Sequence, residues 1–429
     1  MSEWPRRARD DVRRWWRSLR DLTSDALLYA LAALFALGTG LTSSATAQWH
    51  WGYLAVAPYA LAALAAGAMS RAKWTPDRTT RARVALVIFV ILGTVVVPLA
   101  TLVHWRDAHP TQGFAQPEVM VVERAAEHVV HAQSPYTSYW SDAHLVHPVS
   151  GVAPYESFFP YFPLMSVYGL PAVALGPTSP WGDAREAMTL VTMVLGGVSL
   201  ALMRATRRQK IRVAQFLVAL PTGALFLATG GDDMPILALS LLGVVALQRR
   251  TTWLAGVALG VAAASKLTAW PLALGAVLVA RDGRRGAGVR VAAWVGAVGI
   301  VTVLPYLVAS PTAFVANVVA FPLGLAHVAS PAASPLPGHL LTGVWAPAGH
   351  ILTPLTLLVS GYLASRYART RWPLSLSQLL LILSVVSTAL ICVASATRIG
   401  YVIYPVNFAL WSLVVAEVAE PARPQIPVG

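Results

Sequence analysis

The chain has 429 residues, of which 56% are hydrophobic and only 12% are charged, and its formal net charge is +13. A soluble domain carries about twice this fraction of charged residues, so the composition excludes a soluble enzyme. The apolar residues form blocks of about 20, the length that crosses a hydrocarbon core as a helix. The sequence therefore predicts an all-α polytopic membrane protein. Because the basic residues lie in short clusters between these blocks, no nucleic-acid partner is expected.

Four regions follow one another along the chain. Residues 1–24 are rich in arginine and include Trp15 and Trp16, and no signal-peptide cleavage site follows the first apolar block. They predict a basic amphipathic arm on the cytoplasmic surface. Residues 25–80 predict a transmembrane hairpin and a basic loop, 81–418 the main transmembrane domain, and 419–429 a cytoplasmic tail.

About 12 transmembrane helices are expected from the apolar blocks. Clusters of lysine and arginine occupy alternate connections, which places both termini in the cytoplasm and the protein in the inner (plasma) membrane. The outer side then receives all ten histidines and two long loops, 104–160 and 310–348. The predicted spans are 25–46, 51–69, 84–103, 186–204, 213–229, 234–248, 253–266, 268–281, 290–309, 348–365, 375–394 and 400–417.

One apolar segment, 160–176, does not fit this alternation. Charge parity allows a single net crossing between residue 160 and the basic cluster that begins at Arg204. The segment is therefore predicted to enter and return, or to lie at the interface, as irregular backbone does where it lines a cavity. The alternative is a miscounted helix elsewhere.

The first long outer loop contains a candidate catalytic carboxylate. Residues 117–133 have apolar positions at helical spacing, and Pro117 suits the first position of a helix. Glu118 would then lie in the first turn, where a carboxylate complements the helix dipole. The functional alternative is a general base that removes a proton from a hydroxyl group.

Two further charged positions interrupt apolar blocks on the predicted outer side. Asp232 and Asp233 follow a Gly-Gly pair, where they either cap the next helix or bind a sugar or a divalent cation. Lys266 lies within a dozen apolar residues, where a charge is costly in lipid. It either extends to the interface or holds a lipid phosphate, and Arg398 is a second phosphate candidate.

Histidines and aromatic residues complete the candidate set in the outer loops. His128 and His131, like His144 and His147, are three residues apart, which suits hydrogen bonds to sugars better than a zinc site. The aromatic stretch that includes Tyr136 and Tyr161 is either an interfacial belt or a platform for sugar rings. No metal site or cofactor is expected, and a divalent cation is the less favoured alternative.

Several segments follow one another in a recognisable order: Glu118 to Ala126, Ser134-Pro135-Tyr136, Pro160 to Pro163, Thr229 to Asp233, and Ala255 to Pro271. This order resembles glycosyltransferase family 87. The family belongs to the GT-C superfamily of membrane transferases that use polyprenyl-phosphate sugars. Its acidic residue at the position of Glu118 is usually aspartate, whereas this chain has the longer glutamate.

The resemblance implies a GT-C-like catalytic domain over 81–418, with amphipathic helices in the first outer loop. It implies an inverting transferase that moves mannose, or alternatively arabinofuranose, from a polyprenyl-phosphate donor to a cell-envelope glycolipid or glycan. Glu118 would be the base, and Lys266, Arg398, His327 and His339 would bind the donor phosphate. Sugar and acceptor would contact Tyr136, His128, Tyr161, Asp232 and Asp233.

Two other classes of function remain open at this stage. A transporter or flippase of lipid-linked sugars would use the same cavity without chemistry, and inverted repeats would favour it. A scaffolding protein of the cell envelope is the third class. The sequence has no Walker A loop, so transport driven by ATP bound to this chain is not expected.

Overall fold

The computed structural model describes residues 21–176, 179, 181–280, 286–328, 331–345, 347–394 and 397–419. Most of the predicted basic arm and nearly all of the predicted tail lie outside these residues. The described chain is mostly helical. Its α-helices, some extended by 3₁₀ or π turns, are α1 Leu22–Thr42, α2 Thr46–Ser70, α3 Pro76–Ala108, α4 Pro117–Val130, α5 Leu170–Leu175, α6 Ala184–Leu202, α7 Arg207–Thr229, α8 Asp233–Gln248, α9 Thr252–Ala263, α10 Leu267–Ala280, α11 Ala287–Thr302, α12 Leu304–Ala309, α13 Pro311–Ala320, α14 Pro337–Val344, α15 Ala348–Thr370, α16 Leu376–Val393 and α17 Ile403–Ala419.

Sheet structure in the described residues is limited to one small hairpin in the first long loop. Strand β1, Tyr139–Ser141, pairs antiparallel with β2, His144–Val146. Short 3₁₀ turns at Pro154–Ser157 and Pro163–Gly169 follow it. The loop therefore has a defined path even though it contains few regular elements.

Seven helical segments of the described chain are long and apolar enough to cross a membrane, and the protein is therefore a multi-pass membrane protein. Six further apolar helical segments have 10–17 residues, which is below the roughly 20 that a perpendicular crossing needs. Helix α8 is one of them, and it is buried on nearly all sides. A helix enclosed by protein need not match the bilayer thickness, so the number of about 12 spans stays a prediction.

The segment from 160 to 176 forms a 3₁₀ turn followed directly by α5. Together they span Pro163–Leu175, which is too short for a full crossing. The 3₁₀ part packs against α4, because a Cβ atom at Gly169 would lie 2.5 Å from the carbonyl oxygen of Val122. That this segment enters and returns, or lies at the interface, stays a prediction.

The buried residues form two clusters. The larger one joins α1, α2 and α3 to α7, α8, α9, α16 and α17. The smaller one surrounds α4 and includes residues of the 3₁₀ turn after Pro163, of α6 and of α13. The cavity described below lies beside this smaller cluster, whose members include Val121 and Tyr161.

The N-terminal hairpin is fastened to the rest of the protein by a buried group of charges. Asp25 on α1 contacts Arg83 on α3 at 2.5 Å and Arg212 on α7 at 3.1 Å. The amide of Gln215 donates to Asp25 at 3.0 Å and to Tyr29 at 2.9 Å. Since a buried ion pair is strongly destabilised when one partner is lost, this cluster fixes the hairpin against α3 and α7.

Candidate active site

Helix α4 begins at a point fixed by the turn between α7 and α8. The backbone N–H of Gln116 donates to the carbonyl of Thr229 at 2.9 Å, and its side-chain amide donates to the Thr229 hydroxyl at 2.6 Å. Gly230 has φ +110, and a Cβ there would lie 2.2 Å from Val119. Only glycine therefore allows the first turn of α4 to lie so close to this turn.

A second set of bonds holds the middle of α4. Arg106 on α3 contacts Glu123 at 2.5 Å and Asp183 at 2.7 Å, and Glu123 accepts from the backbone N–H of Ala184 at 3.1 Å. Burial alone would raise the pKa of Asp183, but Arg185 and Arg106 hold it well below its usual range. The helix that presents Glu118 is thus rigidly attached to α3 and α6.

Glu118 lies in the first turn of α4, as predicted, and forms an ion pair with Arg398 through its Oε1 atom. The side chains are 18% and 33% exposed. Its second oxygen, Oε2, is buried and has no hydrogen-bond partner among the described residues. Burial lowers the pKa of Arg398, but Glu118 and Tyr401 raise it more, so the pKa lies above its ordinary value.

Arg398 belongs to an extended segment that leads into the last helix. The backbone N–H of Thr397 donates to the carbonyl of Ala332 at 2.9 Å, and that of Ser334 donates to Thr397 at 3.0 Å. The following N–H, of Ile399, donates to the Ser334 hydroxyl at 3.0 Å. The second long loop therefore determines where the guanidinium lies.

Lys266 lies in the break between α9 and α10 and is almost fully buried. Its Nζ atom is 2.9 Å from Asp232 and 2.7 Å from Asp233. Tyr404 donates to Asp233 at 2.6 Å, and its hydroxyl is 2.9 Å from that of Thr268. This group is called the lysine cluster below, and each of its charged side chains is held by at least one oppositely charged partner.

The two aspartates do not cap α8 through their side chains. Asp232 occupies the N-cap position without a capping hydrogen bond, and Asp233 is the first helical residue. Both carboxylates turn instead towards Lys266. The capping interpretation of the Gly-Gly-Asp-Asp sequence is therefore not how these side chains are used.

One cavity of about 420 Å³ is lined by Glu118 and Arg398, and by Lys266, Asp232, Asp233 and Thr268 of the lysine cluster. Aromatic residues form much of the remaining wall, and the ring of Tyr161 lies 5.3 Å from the Lys266 ammonium group. A cavity that combines two cations, several carboxylates and aromatic faces suits a ligand with a phosphate and a sugar ring. The aromatic lining residues are Tyr155, Phe158, Tyr161, Phe226, Phe321 and Tyr401.

The sequence model of glycosyltransferase family 87 matches residues 159–416, which is more than half of the chain. The chain belongs to glycosyltransferase family 87. Together with the apolar helices, this membership makes it a membrane glycosyltransferase. No curated protein and no solved structure matches the sequence.

The matched part of this family 87 chain contains only some of the cavity residues. Asp232, Asp233, Lys266 and Arg398 lie within residues 159–416, whereas Glu118 precedes them. The candidate role of Glu118 therefore depends on its geometry, which places it against a cation inside the matched part.

Six of the ten predicted site residues of this transferase line the cavity: Glu118, Tyr161, Asp232, Asp233, Lys266 and Arg398. The other four lie elsewhere in the described structure. Tyr136 is buried and donates to the carbonyl of Tyr161 at 2.8 Å. His128 hydrogen-bonds Gln133 at 3.1 Å, and His327 stacks on Trp140 with 5.9 Å between the ring centroids. His339 lies on α14, and none of these four lines the cavity.

The sequence did not indicate several residues that complete the site. Tyr404 and Thr268 hold the lysine cluster, and Gln116 fixes the start of α4. Tyr404 lies in an apolar block, where an aromatic residue is ordinary helix core. Gln116 precedes the helix proline, a weak signal of a helix start. In the described residues, no group of three His, Cys, Asp or Glu side chains could hold a metal ion.

Proposed function

We propose that this transferase moves a sugar from a polyprenyl-phosphate donor to a cell-envelope glycolipid or glycan at the outer face of the plasma membrane. The observation that carries the proposal is the pairing of Glu118 with Arg398 at the wall of a cavity that Lys266 also lines. A base and two cations are what displacement at a sugar phosphate requires. Mannose is the favoured sugar, with arabinofuranose as the alternative.

The chemistry follows from the leaving group. A lipid phosphate is already stable as an anion, so it needs cations rather than an acid catalyst. The acceptor hydroxyl oxygen attacks the anomeric carbon as the bond from that carbon to the phosphate oxygen breaks. Glu118 takes the hydroxyl proton through Oε2, the oxygen that has no partner. Direct displacement from the opposite side inverts the anomeric carbon.

Arg398 and Lys266 have different roles in this proposal. Arg398 has one carboxylate partner and part of its side chain is exposed, so it is the principal phosphate ligand. Lys266 is held by two carboxylates, and it contributes positive charge from the wall. His327 and His339 come from the predicted outer loop 310–348, which also supplies Phe321 and Ala332 to the lining, and they are proposed as further contacts to the donor phosphate.

The sugar is proposed to lie against Tyr161, with its hydroxyl groups near Asp232 and Asp233. Carboxylates and an aromatic face are a common combination for a sugar ring. Tyr136 supports this position through its bond to the Tyr161 carbonyl, and His128 is proposed as an acceptor contact at the far end of α4. No divalent cation is proposed here, because the two aspartates share Lys266.

The test uses purified protein in lipid nanodiscs, with synthetic polyprenyl-phosphate mannose or arabinofuranose and candidate glycan acceptors. Release of polyprenyl phosphate together with a longer glycan is the expected result. Movement of the intact donor across the bilayer without cleavage would instead establish the flippase alternative. A product with retained anomeric configuration would contradict direct displacement.

A further inference from the structure

The pair of Glu118 and Arg398 has unused hydrogen-bonding capacity on both sides. One carboxylate oxygen of Glu118 is buried without a partner. Among the described residues, the Arg398 guanidinium bonds only Glu118, through Nη1. A guanidinium has five N–H donors, so most of them remain available to another acceptor. Arg398 is therefore suited to exchange Glu118 for another anionic partner.

A phosphate is a strong competitor for such a guanidinium. Two phosphate oxygens can accept two parallel N–H bonds from one arginine, and they carry at least the charge of a carboxylate. The site that the proposed donor phosphate occupies and the side chain of Glu118 border the same cavity. A phosphate and Glu118 would therefore compete for the same cation.

We propose that the donor phosphate takes Arg398 from Glu118, so that the carboxylate becomes a free base only after the donor has bound. This inference rests on the proposed function, because it needs a phosphate-bearing donor. Before donor binding, Arg398 occupies one oxygen of the Glu118 carboxylate. After the exchange, Glu118 faces the acceptor hydroxyl without its counterion. Donor binding therefore precedes productive acceptor binding.

The surroundings of the two cations explain why Arg398 rather than Lys266 makes the exchange. Lys266 is bound by two carboxylates and is about 11% exposed. Arg398 has a single partner, is 33% exposed, and lies on an extended segment between a loop and a helix. Moving Arg398 breaks one ion pair, whereas moving Lys266 would leave two carboxylates without a counterion.

The experiment measures the affinity of a synthetic polyprenyl monophosphate for the full-length protein in nanodiscs. In Glu118→Gln the amide no longer competes as an anion, so the lipid should bind about tenfold more tightly, as expected from one charge-assisted hydrogen bond. In Arg398→Gln the lipid should bind more weakly. In the double variant, the gain from Glu118→Gln should disappear, because no cation remains to be exchanged.

Each alternative outcome contradicts the exchange in a different way. A tenfold gain that persists in the Arg398→Gln background would mean simple repulsion between Glu118 and phosphate. Glu156→Gln is the matched control, since Glu156 lines the same cavity and makes no ion pair with Arg398 in the described chain. An equal gain in that variant would also overturn the exchange.

The failure of the exchange is distinguishable from a failure of the proposed function. Binding of the lipid with the same affinity in wild type and Glu118→Gln would overturn the exchange alone. Absence of binding in every variant would overturn the donor class and the exchange with it. Unaltered thermal unfolding of Glu118→Gln and Glu156→Gln shows that the comparison is made on folded protein.

Discussion

Two groups of charged residues line the same cavity and differ in how completely they are paired. In the lysine cluster, Lys266 is shared by two carboxylates, and Tyr404 satisfies one of them further. In the pair of Glu118 and Arg398, one carboxylate oxygen has no partner in the described structure, and both side chains are partly exposed. Among the described residues, the buried carboxylate oxygen without a partner therefore belongs to the second group and not to the first.

This difference indicates which group can change partners during a reaction. A buried cluster of paired charges holds its members in place, and breaking it is costly. A partly exposed pair loses less when it opens, because solvent or ligand replaces the lost bond. We therefore propose that the lysine cluster shapes and charges the cavity, whereas Glu118 and Arg398 take part in the chemistry.

The largest effect on the rate of sugar transfer is expected when Arg398 is replaced. Arg398→Gln should lower the rate of sugar transfer by about 10²–10³, the usual loss when one donor to a developing anion is removed. Arg398→Lys should retain more activity, because it keeps the charge but not the forked geometry. The assay is release of polyprenyl phosphate.

Arg366→Gln is the control for this prediction. Arg366 is exposed and lies over the ring of Tyr362, away from the cavity lining. Its replacement should leave transfer within about twofold of wild type, as expected for a surface residue. An equal loss in both variants would mean that net charge, not the position of Arg398, determines the rate.

The second prediction concerns the stability of the lysine cluster. Lys266→Ala leaves Asp232 and Asp233 buried next to each other without their shared cation. Removing one partner of a buried ion pair costs about 3–5 kcal/mol, so the variant should unfold at a distinctly lower temperature and bind the donor more weakly. Thermal unfolding in nanodiscs or detergent measures the first effect.

A second substitution identifies the cause of that loss. Asp233→Asn added to Lys266→Ala removes one of the two facing carboxylates, and it should restore part of the lost stability. If Lys266→Ala unfolds like wild type and the added substitution changes nothing, Lys266 is not a structural cation. Its pairing with the aspartates would then contribute little.

The smallest effect is expected at Tyr404. Tyr404→Phe removes the hydroxyl that donates to Asp233 while Lys266 still holds that carboxylate. The free energy of unfolding should fall by about 1 kcal/mol, the net value of a single hydrogen bond. A loss as large as that of Lys266→Ala would show that the tyrosine, rather than the lysine, dominates the cluster.

The sequence predicted the helical membrane fold and the position of Glu118 because both depend on local patterns. Apolar blocks specify helices, and Pro117 with helical spacing specifies the start of α4. The sequence also selected Lys266, since a lysine among apolar residues needs a partner. It did not identify Asp232 and Asp233 as the partners of this lysine.

The sequence could not predict which of these charged residues contact each other. Glu118 and Arg398 are separated by 280 residues, and Lys266 and Asp232 by 34. Helical spacing carries no information about contacts between distant helices. The number of spans was also beyond local patterns. Helices α8 and α9 are enclosed by neighbouring helices, so neither needs to match the thickness of the bilayer. His327 and His339 lie in the predicted outer loop 310–348, yet neither residue lines the cavity.

The most direct test of this account compares Glu118→Gln with Asp232→Asn in a single turnover. Each variant is first loaded with donor, and the acceptor is then added so that only the transfer step is followed. Glu118→Gln should release polyprenyl phosphate at about 10²–10⁴ times below the wild-type rate, while Asp232→Asn should retain far more activity. Transfer at a near wild-type rate by Glu118→Gln, with Asp232→Asn inactive, would contradict the assignment and make Asp232 the candidate base.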